Sequence, residues 1–211
     1  MAGKTDHTLS ATSAALLGQL AWADQSSYEL AKAMGANIRF FWPRAGSHVY
    51  REVKRLVTDG YATARDEATG RRPRTVYAIT PRGRAALAGW LATPSAGFTS
   101  ENEPLLRLFI ATSGSKQDLL AAIRAAREQA EEMMDIGDGL VAQFSAGTHP
   151  FMDEVHIRAL TFDYIYNWAI LTRDWADRTE AEVIRWRTLG PNPGKRRRAV
   201  ARIRAIAKIR S

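Results

Sequence analysis

Apolar residues recur at helical spacing from near the start of the chain. Leu16, Leu17, Leu20 and Trp22 stand among small residues, and Ser10 is placed to cap them, which predicts a helix from about Ser10 to Ala23. Ser26-Ser27-Tyr28-Glu29 has the spacing of a capping box and opens a second, short helix to about Gly35. Pro43 and Gly46 then break the periodicity. Ser47 opens a third helix, SHVYREVKRLVTD, which stops at Gly60, where a helix C-cap belongs. On a helical wheel Val49, Val53, Leu56 and Val57 share one face of this helix, and Ser47, His48, Arg51, Lys54, Arg55 and Thr58 share the other.

The period then changes. YATARDE and TVYAIT have the β-branched and aromatic content of short strands, and ATGRRPR between them has the Gly and Pro of a turn, so a β-hairpin with a basic tip is expected. Pro81 suits the first turn of a fourth helix running to about Leu91. The order helix, helix, helix, hairpin, helix is that of a winged helix-turn-helix, in which the third helix enters the DNA major groove.

After the loop TPSAGFTSENE, a short apolar helix is expected over about Pro104 to Thr112, and Ser115 caps a long one reaching about Ser145. Leu119, Ile123, Ala126, Ala130, Met133, Gly137, Leu140 and Phe144 alternate in spacings of four and three, the seam of a helix packed lengthwise on another. A last long helix, about Phe151 to Leu189, carries Leu160, Tyr164, Trp168, Leu171 and Trp175 on one stripe, widened by Phe162, Ile165 and Tyr166. So much apolar area points to a second subunit, and a two-fold homodimer is expected. The fold class is mainly α (α+β): an N-terminal winged helix-turn-helix with a two-stranded wing, then a long-helix C-terminal dimerisation domain. The expected divisions are a DNA-binding domain at 1–92, a hinge at 93–103, a helical dimerisation and candidate effector domain at 104–190, and a basic tail at 191–211.

Charge sharpens this picture through its distribution. Residues 1–91 hold 13 Lys and Arg against 7 Asp and Glu, residues 92–194 hold 9 against 15, and the last 17 residues add eight basic groups with no acid. A basic first third and an acidic middle suit a protein with one end facing a polyanion. The 211 residues contain no cysteine, which excludes disulfides, zinc-thiolate sites and thiol nucleophiles and suits an intracellular, cytoplasmic chain. No apolar run approaches a bilayer span, and no signal peptide is evident, so membrane partnership is not expected. A phosphate-binding glycine loop, nucleophile elbow and zinc-helix motif are all missing, so neither an enzyme nor a cofactor is expected. His149 and His156 flank Asp153, but lone histidines on helices are more often structural than metal ligands.

The run GSHVYREVKRLVTDGY, followed by RRPRTVYAITPRGRAALAGWL, resembles the PadR family of bacterial transcriptional regulators. The resemblance rests on Gly46, Val49, Tyr50, Val53, Leu56 and Gly60 in the third helix, with Phe41-Trp42 before it. Tyr77-Ala78-Ile79-Thr80, Gly83, Leu87 and Trp90-Leu91 continue it through the wing and the next helix. It covers roughly residues 10–91. The C-terminal half is similar by pattern to longer-armed members whose helices interlock a dimer, and the tail from Lys195 departs from the usual ending.

DNA contacts are expected from Ser47, His48, Tyr50, Arg51, Lys54 and Arg55 on the third helix, and from Arg71, Arg72 and Arg74 on the wing as backbone or minor-groove contacts. The resemblance implies a repressor that binds a palindromic operator and is released by a small aromatic or phenolic effector. Trp42, His156, Tyr164 and Trp168 are the candidate pocket residues, although such a tryptophan stripe is more often core or dimer seam. An alternative is an architectural, non-specific DNA-binding protein. The tail KRRRAVARIRAIAKIR leaves three readings open: a disordered solvated segment, a non-specific DNA contact, or attachment to an anionic membrane surface.

Overall fold

The computed structural model describes residues 9–42, 45–69 and 72–208, without the side chains of residues 37, 45–47, 68, 69, 72 and 73. Two units divide the chain, Met1–Phe98 and Thr99–Ser211.

In the first unit, helices α1 (Ala11–Trp22), α2 (Ser27–Asn37) and α3 (Ala45–Thr58) precede a sheet, and α4 (Pro81–Leu91) closes it. The caps explain the boundaries. Ser10 accepts from the Ser13 amide at the start of α1, and Ser26 and Glu29 form the reciprocal capping box of α2, with the Ser26 amide donating to Glu29 at 2.7 Å. Thr80 caps α4, with Pro81 in the first turn. α3 begins at Ala45, two residues earlier than the Ser47 start expected, so Gly46 and Ser47 lie inside the helix. Its other end is a Schellman motif: the Gly60 amide donates to the Val57 carbonyl (3.0 Å) and the Tyr61 amide to the Leu56 carbonyl (2.9 Å). Gly60 reaches this geometry at φ +75°, a left-handed conformation that L side chains disfavour.

The sheet has three strands in the order β1-β3-β2, with β1 at Gln25–Ser26, β2 at Ala62–Thr69 and β3 at Arg72–Ile79. β2 and β3 are the antiparallel wing, in register from Ala62 opposite Ile79 to Thr69 opposite Arg72, longer than expected at both ends of the turn. The two-residue β1 was not expected; it pairs Gln25 with Tyr77 and Ser26 with Val76, tying the wing back to the start of α2. One core serves all these elements: Leu16, Leu17 and Leu20 of α1, Leu30 and Met34 of α2, Val49, Val53 and Leu56 of α3, with Tyr61, Ala62 and Tyr77 from the sheet side.

The second unit begins with α5 (Glu103–Phe109) and a 3-10 turn at Ala111–Ser113. Two 30-residue helices follow, α6 (Lys116–Ser145) and α7 (Val155–Ile184), and then α8 (Pro193–Lys208). α6 and α7 form an antiparallel hairpin: the Lys116 ammonium caps the carbonyls of Ile184 and Trp186, Arg124 and Arg127 pair with Glu180, and Tyr166 donates to Asp138 at 2.6 Å. The seam read on α6 is internal, with Leu119, Ile123, Ala126, Ala130, Met133 and Gly137 all buried. α7 fills it with Phe162, Tyr166, Ala169, Ala176 and Val183. The stripe read on α7 points elsewhere. Leu160, Tyr164 and Leu171 are 70%, 62% and 60% exposed, and Trp168 and Trp175 are half-buried. Among the described residues no helix is long and apolar enough to cross a membrane.

Two glycines make the packing measurable. Gly60→Ala forces a side chain into the left-handed region and is expected to lower stability by about 1–2 kcal/mol. At Gly137 a Cβ would stand 2.6 Å from the Tyr166 ring, so Gly137→Ala must push the hairpin apart. It is expected to cost about 1–3 kcal/mol, read as a lower thermal midpoint with an unchanged helical spectrum.

Candidate nucleic-acid interface

α3 is sorted into two faces by burial. Val49, Val53 and Leu56 are sealed in the core, while His48, Tyr50, Arg51, Lys54, Arg55 and Thr58 are exposed. The helix is therefore held from behind with its basic side in solvent, which is the presentation a groove-reading helix needs. Tyr50 is on this exposed surface and not in the core. His48 and Arg51 meet across one turn, guanidinium nitrogen to ring Nδ1, at 3.1 Å.

Arg55 is tethered. Its guanidinium donates to Ser13 at 2.7 Å and pairs with Glu52, the one acidic residue of α3, which also accepts from Ser10 and Ser13 of α1. Burial alone pushes the Glu52 carboxyl up, but hydrogen bonds from Ser13, Arg55 and Ser10 together with the nearby Arg55 charge outweigh it and hold the carboxyl below its ordinary range. This cluster joins the start of α1 to the middle of α3 and fixes one arginine of the basic face in direction.

On the wing, Arg74 reaches Glu29 and Glu67, each at 3.2 Å, and Arg65 reaches Asp24 at 2.7 Å and Glu67 at 3.0 Å. Glu29 thus serves twice, closing the α2 cap and holding the wing. The Ser26 backbone amide is the main reason its carboxyl lies below the usual range, aided by the Ser26 hydroxyl and by Arg74. Of the other expected contacts, Arg71 lies outside the described residues, as do the side chains of Ser47 and Arg72. Ser13, Glu52 and Glu67 were not singled out from sequence, and Ser10 and Glu29 were read only as helix-capping residues. The only sequence signal for the first three was the i, i+3 spacing of Glu52 and Arg55.

The candidate effector residues are dispersed by environment. In the first unit the Trp42 indole donates to Thr12 at 3.2 Å. In the second unit His156 and Tyr164 are exposed and Trp168 is half-buried on α7. A cavity of about 220 Å³ beside the start of α6 is lined by Arg107, Ile110, Ser113, Asp118 and Leu119 among others, and by none of these four. His149 stacks on Phe144 at 4.0 Å and accepts from the Phe151 amide, a structural role. Among the described residues no group of three or more His, Asp or Glu is placed to hold a metal ion.

Residues 16–89 match the Transcriptional regulator PadR-like family. The N-terminal unit is similar to that family. The chain is similar to a probable transcriptional regulator of Mycobacterium tuberculosis, 35% identical over 81 residues that make up 38% of this chain and 43% of the relative. It is also similar to the negative transcriptional regulator PadR of Bacillus subtilis, 30% identical over 36% of this chain and 43% of the relative. The chain thus spans under half the length of either curated relative. Fold similarity reaches further. A Streptococcus mutans structure covers 80% of this chain and 98% of its own at a TM-score of 0.71 and 24% identity. B. subtilis PadR in complex with operator DNA covers 81% and 98% at 0.66 and 20%, and PadR with p-coumaric acid covers 81% and 97% at 0.60 and 19%. These likenesses establish a winged-helix fold with long C-terminal helices after the matched residues. The PadR-like family is one of transcriptional regulators and not of enzymes.

Glu52 gives a pH test of the domain. Its folded-state pKa lies below the unfolded one, so its stabilisation is present above the ordinary carboxylate range and is lost as pH falls through the lowered folded value. Glu52→Gln is expected to lower stability near neutral pH by about 1–2 kcal/mol. The gap between variant and native protein should close on acidification from about pH 6 to 3, followed by denaturant titration at each pH.

Proposed function

We propose that this protein is a sequence-specific DNA-binding transcriptional regulator that acts as a homodimer, with α3 entering the major groove and the wing touching the backbone beside it. The observation that carries the reading is the two-faced burial of α3: its aliphatic side is locked in the core while His48, Tyr50, Arg51 and Lys54 stand exposed. Arg51, with the widest reach on that face, is the candidate base reader. An arginine bidentate to guanine discriminates by about 1–3 kcal/mol. Arg55 and Arg74, each already bound to carboxylates, are positioning contacts to phosphate. That the similar B. subtilis PadR is a negative transcriptional regulator supports repression, and its complex with p-coumaric acid supports a small aromatic effector. The working place of such a protein is the cytoplasm.

The dimer reading rests on exposed apolar surface in the second unit. Leu160, Tyr164 and Leu171 on α7, and Leu105, Leu106 and Phe109 on α5, are open to solvent, apolar side chains of the kind an interface covers. A second chain covering these residues would also pair two recognition helices for a palindromic site.

Two measurements test this. Fluorescence anisotropy at near-physiological salt should give a preference of at least ~10³ for the protein's own upstream DNA over a scrambled duplex, reduced in Arg51→Ala. Equal binding to both duplexes would favour an architectural protein. Light scattering after size exclusion should give the mass of two chains, and Leu160→Asp with Leu171→Asp should shift it to one, because a buried unpaired charge is costly.

A further inference from the structure

Residues 195–208 lie in a helix, and this changes what the segment can do. α8 (Pro193–Lys208) is joined to the end of α7 at its first turn: the Lys195 ammonium donates to the carbonyls of Thr188 and Gly190 and lies 4.9 Å over the Trp186 ring. Arg202 adds an ion pair with Glu182. Beyond these contacts no residue of α8 is buried.

At about 100° per residue, Ile206, Ala199, Ile203, Ala207 and Val200 fall within an arc of about 120°. Val200, Ile203 and Ile206 are 42%, 66% and 62% exposed, so this apolar arc is open to solvent. Arg202 and Arg198 lie on one side of the arc, Arg204, Arg197 and Lys208 lie on the other, and Ala201 and Ala205 stand opposite it. Arg196 alone projects within the arc, in the first turn. The whole run from residue 195 to 211 holds eight basic groups and no acidic one.

We propose that α8 is an interfacial helix that lays its Val200-Ile203-Ile206 arc into the surface of an anionic lipid bilayer, with the flanking arginines on the lipid headgroups. Charge complementarity and the apolar arc together select this occupant. A DNA backbone neutralises the arginines but leaves two isoleucines and a valine in water. Two α8 helices packed on each other bury the arc but bring like charges together. An anionic bilayer satisfies both faces, and the combination of basic polar face and aliphatic stripe is the one that binds in the plane of a membrane without crossing it.

The inference does not rest on the DNA-binding reading, and its test does not involve an operator. The full chain is floated at ~0.15 M salt with vesicles of phosphatidylcholine containing about 30% phosphatidylglycerol, and separately with pure phosphatidylcholine vesicles. Binding to the anionic vesicles alone is expected. The pair Ile203→Gln and Ile206→Gln should weaken it at least ~tenfold while keeping helix content, because glutamine is a good helix former and neither position is buried. Arg197→Gln with Arg204→Gln should weaken it as well and flatten its salt dependence. No flotation with anionic vesicles overturns the proposal. So does flotation indifferent to the isoleucine pair, which would mean diffuse attraction of a polycation. Loss of affinity for a scrambled duplex in the arginine pair, without any vesicle binding, would assign α8 to DNA instead.

Discussion

The burial of one aliphatic stripe, Val49, Val53 and Leu56 on α3 against Leu16, Leu17 and Leu20 on α1, is the constraint on which the interface depends. A helix of this composition has little reason to hold a fixed orientation by itself, since its solvent side is crowded with like charges. Removing three aliphatic side chains from water contributes about 1.5–3 kcal/mol each and fixes the rotation of α3 about its axis. Once that rotation is set, Arg51 and Lys54 have nowhere to point but outward. The Schellman turn at Gly60 ends the helix and sends the chain at once into the wing, so α3 and the wing are spaced by a single turn.

Around this core a second layer of control is electrostatic. The basic surface is not an open field of cations. Arg55 is shared between Glu52 and Ser13, and Arg74 between Glu29 and Glu67. Each carboxylate lowers the net positive potential locally and holds its arginine in one direction, so phosphate must compete with an existing partner. Exposed pairs of this kind add little stability, and their effect is on geometry and on the salt dependence of association. The unpaired-looking positive excess of the first 91 residues is thus an overestimate of what faces a polyanion.

In the second unit the same physics runs lengthwise. Small residues Ala122, Ala126, Ala130 and Gly137 let α7 approach α6 along most of its length, and the ends are tied by Lys116 on the α7 carboxyl terminus. Because that hairpin satisfies its own seam, the aromatic and aliphatic stripe at Leu160, Tyr164 and Leu171 is surplus to the chain's internal packing. α8 continues the pattern, an amphipathic element with its apolar side left outside. Among the described residues the α7 stripe and the arginine-bordered α8 arc are both open to solvent.

The local elements were legible from residues alone: the Ser10, Ser26, Ser115 and Pro81 starts, the Gly60 stop, the basic face of α3 and the wing follow from capping chemistry and from period, and both act within a few residues along the chain. The boundaries of α3 and the two-residue β1 were less so, because the first turn of α3 has no distinctive cap signal and β1 exists only where the far strand β3 comes alongside. Sequence also established that two long helices needed lengthwise partners, but a heptad-like seam does not say whose helix fills it. Only tertiary structure assigned the α6 seam to α7 and turned Leu160, Tyr164 and Leu171 outward, since that choice is made by the close approach possible at Gly137. In the same way Glu52 reads in sequence as one acid in a basic helix. Folding brought Ser10 and Ser13 to it from some forty residues away, making it the group that aims Arg55.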